Sequence, residues 1–139
     1  MKLRPSKDKK EFMYEYGQLV GLESRRDKLQ AEAESLPGVY IYESRQPNRQ
    51  AVPDDQFNAT YATWSALWRL AYEEWTKAQL LLGMVGDIKI DKAVAAALSK
   101  YSDSSRDATA RCQMAIEHMD AARLNLTVEQ LRESRTQAG

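Results

Sequence analysis

One cysteine, Cys112, and one histidine, His118, stand in a chain of 139 residues. A lone cysteine excludes an internal disulfide and fits a reducing compartment. A lone histidine excludes two-histidine zinc sites and the paired Glu-x-x-His arrangement of di-iron bundles. Charge of either sign is not in excess: 20 basic and 20 acidic residues give a formal net charge of +0. The chain as a whole therefore lacks the basic surplus of a dedicated nucleic-acid binder. No window approaches about 18 uninterrupted apolar residues, so no membrane span is expected. The opening "MKLRPSKDKK" carries charge without a following apolar stretch and predicts no secretory signal. Glycine-rich phosphate loops are also missing, since "GMVGD" (83–87) has two glycines and no lysine–serine pair. Adjacent Glu73 and Glu74 point about 100° apart on a helix and cannot work as a carboxylate dyad. These absences predict a non-enzymatic protein with no cofactor and no metal. It is expected in the cytoplasm, or in the host cytoplasm or virion if viral.

What is present is helical patterning. Hydrophobic content of 43% is ordinary for a folded chain of this length, and one domain is expected. After a basic arm over 1–6, a helix is predicted over 7–36, with Ser6 as N-cap and "LPG" (36–38) as its stop. Its apolar residues fall at Phe12, Tyr16, Leu19, Leu22, Leu29, Ala33 and Leu36, with one miss at Arg26. "FMYEYGQLVGL" (12–22) is apolar nearly all round and must be covered on more than one side. Gly17 and Gly21, one turn apart, allow a close helix crossing.

A loop over 37–53 follows. "VYIYES" (39–44) alternates like a short strand, and "DIKID" (87–91) is its only match, so a minor two-stranded ribbon of 39–43 with 87–91 is expected. The second helix is predicted over 54–82. At about 100° per residue, Phe57, Tyr61, Trp64, Trp68, Tyr72, Trp75 and Leu82 lie within an arc of about 80°. A second stripe of Leu67, Leu70, Ala71, Ala78 and Leu81 widens the apolar arc to about 200°, which places this helix at the centre of the fold. The third is predicted over 91–126, on a regular seam at 94, 98, 101, 105, 108, 112, 115, 119, 122 and 126. Ser104 and Asp107 resemble a capping box, so a break near 102–105 is an alternative. "TVEQ" (127–130) has the same form and starts a short helix over 127–135. The fold class is all-α: an antiparallel bundle of three to four helices with long first and last helices.

So many apolar faces on so few elements predict self-association and action through protein–protein contact, as an adaptor, structural component or inhibitor. The interface candidates are Phe12, Tyr16, Leu19, Trp64, Trp68, Trp75, Ala108, Ala115 and Met119. Two alternatives belong to other classes. One is a small-molecule or nucleotide-binding oligomer, in which Trp and Tyr faces stack a ligand and Arg69, Arg45 and Arg49 meet phosphate. The other is nucleic-acid binding, with Lys7, Lys9, Lys10, Arg45 and Arg49 as phosphate contacts. "YATWSALWRLAYEEWTKAQLLLG" (61–83) followed by "ARLNLTVEQLRESR" (122–135) resembles the later half of phage terminase small subunits. The resemblance covers under half of the chain and implies a ring that presents DNA to a packaging motor. The helix-turn-helix expected near the N-terminus is missing.

Overall fold

Pro5 supplies the first residue of the first helix, where its fixed φ suits the helix and its missing N–H is not needed. The helix therefore begins before Ser6 rather than at it. In the computed structural model, which describes residues 5–39 and 55–138, four helices follow in order. They are α1 (Pro5–Glu34), α2 (Asp55–Met84), α3 (Lys92–Arg123) and α4 (Val128–Ala138). Helix α2 lies in the middle, with α1 on one flank and α3 on the other, while α1 and α3 meet mainly through their longer side chains. The expected all-α bundle is what the chain forms.

The seam of α3 follows its predicted spacing. Leu98, Ser105, Ala108, Cys112, Ala115, Met119 and Ala122 are buried, and Val94, Tyr101 and Leu126 are half-buried. The helix is continuous through 102–105. Its hydroxyls stay inside the helix instead of capping a new one: Ser105 donates to the carbonyl of Tyr101 at 2.6 Å and Thr109 to that of Ser105 at 2.8 Å. It stops at Arg123, short of 126, because Asn125 takes a left-handed conformation (φ 62°). The N–H of Leu126 then reaches the carbonyl of Ala121 at 2.8 Å, and that of Asn125 reaches Ala122 at 3.1 Å. This pair of bonds closes a helix end, and asparagine tolerates the positive φ that it needs.

Among the described residues there is no ribbon. Residues 87–91 hold no strand, and 40–43 lie outside the described residues. The two isoleucines plug the fold instead: Ile88 is buried with Phe12, Leu19, Ala78, Leu81 and Leu98, and Ile90 packs against that cluster. Thr127 does cap α4. Its hydroxyl accepts from the N–H of Gln130 at 3.1 Å while Gln130 Oε1 accepts from the N–H of Thr127 at 2.9 Å.

Among the described residues, nothing makes a close crossing at Gly17 and Gly21. Both are exposed, and a Cβ at either would meet nothing. Glycine inside a helix costs about 0.5–1 kcal/mol against alanine. Gly17→Ala and Gly21→Ala should therefore each stabilise the chain by about that amount in urea unfolding. A loss of stability would show that a contact outside the chain's own packing needs the bare backbone there.

Candidate functional site

The α2 arc is filled from its aliphatic side. Its buried residues run from Phe57 and Trp64 through Leu67, Ala71, Glu74 and Ala78 to Leu81, so the tryptophan stripe forms one flank of the buried face. Trp64 lies in a core cluster with Ala33, Phe57, Leu67, Cys112, Ala115, Met119 and Ala122, and half-buried Trp68 packs against it. The small α3 seam thus receives Trp64 and Trp68. Neither indole N–H has a hydrogen-bond partner among the described residues. Further along, Tyr72 stacks on Trp68 with centroids 5.3 Å apart and meets Trp75 edge-on at 6.1 Å.

Arg26, the miss in the α1 stripe, is 4% exposed, and its guanidinium binds Glu74, which is 0% exposed. The remaining donors reach Gln30 Oε1 at 2.8 Å and Ser104 Oγ at 3.1 Å, so one side chain ties α1 to both α2 and α3. Burial pushes the Glu74 carboxyl up from its ordinary value. Arg26 pulls it back down, and the nearby charges of Glu23 and Asp27 add a smaller upward push. Above the pair, Glu23, Asp27, Gln30, Lys100, Tyr101 and Ser104 line a groove of about 640 Å³ between α1 and α3. Glu23 is raised by burial and by its hydrogen bond with Asp27. Every donor of Arg26 that reaches this groove is already held by the chain, so the pair reads as a structural clasp.

At the far end, α4 is fastened to α3 by buried Leu131 and by two ion pairs, Arg132–Glu117 at 2.7 Å and Arg135–Asp120 at 3.3 Å. The Arg132 hydrogen bonds hold the Glu117 carboxyl below its usual range. Asp120 also accepts from the Tyr61 hydroxyl at 3.0 Å.

The outward face is of another kind. Tyr14 of α1 and Leu80 of α2 are 66% and 62% exposed, and Tyr72 is 46% exposed. Leu80 is shared by two shallow grooves: one of about 430 Å³ with Lys10, Glu11, Tyr14, Glu15 and Met84, and one of about 390 Å³ with Tyr72, Glu73, Thr76 and Lys77. Lys77 reaches across to Glu15 and ties the two helices beneath this strip.

Of the nine interface candidates, Phe12, Leu19, Trp64, Ala108, Ala115 and Met119 are buried inside one chain, and Tyr16, Trp68 and Trp75 are half-buried. Tyr16 meets Tyr101 at 6.3 Å. Among the basic candidates, Lys9 and Lys10 are exposed at the start of α1 beside Asp8 and Glu11. Arg45 and Arg49 lie outside the described residues, and the side chain of Lys7 is likewise not described. The strip of Tyr14, Tyr72 and Leu80 was not among the candidates. Its signal is "LLL" (80–82), since at about 100° per residue the first and third of three consecutive leucines lie about 160° apart and cannot both face the core. Cys112 is enclosed, and burial pushes its thiol up to about 11, which suppresses the reactive thiolate. Among the described residues, no group of three or more His, Cys, Asp or Glu side chains is placed to hold a metal ion, and no helix is long and apolar enough to cross a membrane.

Fold and surface together define an all-α helical bundle with an enclosed core and an exposed apolar strip on its outward face. No family model, curated protein or solved structure matches the chain.

Proposed function

We propose that this is a non-enzymatic helical protein that self-associates and acts through protein–protein contact, as an adaptor, structural component or inhibitor. The observation that carries this reading is the exposure of Tyr14, Tyr72 and Leu80 around two connected grooves on one face of α1 and α2. Isolated exposed apolar side chains are common, but a connected apolar strip rimmed by charge marks a contact surface. Here the rim is Lys10, Glu11, Glu15, Glu73 and Lys77. Covering a leucine or tyrosine fully is worth about 1.5–3 kcal/mol, so a few such residues can hold a small interface.

Light scattering after size exclusion at micromolar concentration tests the proposal. A discrete multiple of 15.9 kDa is expected. Leu80→Glu should return the mass to one chain while circular dichroism and the thermal midpoint stay near those of the parent, because Leu80 lies outside the core. A single-chain mass for the parent at every concentration would overturn self-association.

A further inference from the structure

We infer that α2 packs against α2 of a second copy, antiparallel about a two-fold axis at Thr76, with Tyr72 and Leu80 as reciprocal contacts. This rests on the self-association proposed above and names its interface. Tyr72, Thr76 and Leu80 succeed one another at four-residue steps, about 6 Å apart along the outward side of α2. A two-fold contact must be self-complementary. Rotation about Thr76 sets each Tyr72 on the other copy's Leu80, with the small threonines at the crossing.

Charge selects the same arrangement. Glu73 is exposed, and Lys77 stands beside it on the same flank of the groove. In an antiparallel pair about Thr76, Glu73 of one copy comes within about 3 Å along the axis of Lys77 of the other. A parallel two-fold pair would carry the flank that bears Glu73 and Lys77 to opposite sides of the interface, where neither residue reaches the partner's charge of opposite sign. The Lys77 ammonium already binds Glu15, and it has further donors for a second carboxylate. Seven residues on either side of Thr76, the rotation sets Arg69 against Gly83, where a Cβ would meet nothing and space is open for the guanidinium.

The contact is also prepared in advance. Trp68 and Trp75 hold the Tyr72 ring from two sides at 5.3 and 6.1 Å, so little side-chain freedom remains to be lost on association.

Cross-linking tests the arrangement in the full-length chain. Cys112 is buried with its thiol raised to about 11, so a cysteine introduced on the surface is the reactive one. Under copper–phenanthroline oxidation, Thr76→Cys should form a disulfide dimer about ten-fold or more faster than Gln113→Cys, which lies on the exposed side of α3. Arg69→Cys should lag as well, because the two-fold sets its two copies about 21 Å apart along the axis. Equal rates for Arg69→Cys and Thr76→Cys would mean a parallel pair and overturn the inference. If light scattering shows an oligomer but Thr76→Cys reacts no faster than Gln113→Cys, this interface is wrong and self-association stands. A single-chain mass together with no enhancement at Thr76→Cys would remove both.

Discussion

Arg26→Leu should cost the fold about 3–5 kcal/mol, because it leaves the Glu74 carboxylate buried without its partner. The loss should depend on pH in a defined direction. Glu74 titrates above its ordinary value in the folded chain, so its favourable contribution is present at low pH and is lost as pH rises through the folded value. Removing Arg26 removes the downward pull and raises that value further. The variant should therefore be closer to the parent near pH 5 than near pH 8, as read from urea unfolding at both. Arg26→Leu/Glu74→Leu should recover most of the loss, since two apolar residues of similar size replace both charges at once. A small, pH-independent effect of the single change would show that Glu74 is not held as described.

Ala115→Asp should abolish folding of the chain itself. Ala115 is enclosed by Trp64, Cys112 and Met119 in the core shared by α2 and α3, a cluster of apolar side chains that offers a carboxylate no partner. An unpaired buried charge costs more than about 4 kcal/mol, a large part of the about 5–15 kcal/mol that holds a domain together. Loss of helical circular dichroism at 25 °C is the expected readout. A variant that keeps a cooperative transition near that of the parent would show that the seam opens to solvent at 115. The contrast with Leu80→Glu is informative, because a carboxylate on the outward strip should change mass and spare the fold.

Much of the helix layout was legible because each seam announces itself by its spacing. The 4-3 run from Val94 to Leu126 located the inner face of α3 residue by residue, and Thr127 with Gln130 located the start of α4. The ribbon was misread because Ile88 and Ile90 alternate like a strand while serving as plugs under α1. Two residues give no ladder, and the cluster of Phe12 and Leu98 takes both. Charge argues for exposure, so residue type alone does not mark Arg26 and Glu74 as core residues. Yet Leu19, Leu22, Arg26, Leu29 and Ala33 keep one seam, and Leu67, Ala71, Glu74, Ala78 and Leu81 keep another. Each seam has one interruption, and the two are of opposite sign, which is the signal of a pair buried between them. The outward strip was harder to read, since an all-round apolar segment does not say which of its sides the chain covers itself.

The central place of α2 bears on the order in which the chain assembles. Every extensive contact joins helices that are neighbours along the sequence, so little loop entropy stands against each docking step. The α2–α3 hairpin supplies most of the cluster around Trp64 and Met119, to which α1 adds Ala33 and Leu29. Helix α1 leans chiefly on α2 and reaches α3 through side chains such as Arg26 on Ser104 and Tyr16 on Tyr101, so its detachment would leave the larger α2–α3 interface in place. Amide exchange should then begin in α1 ahead of α2 and α3.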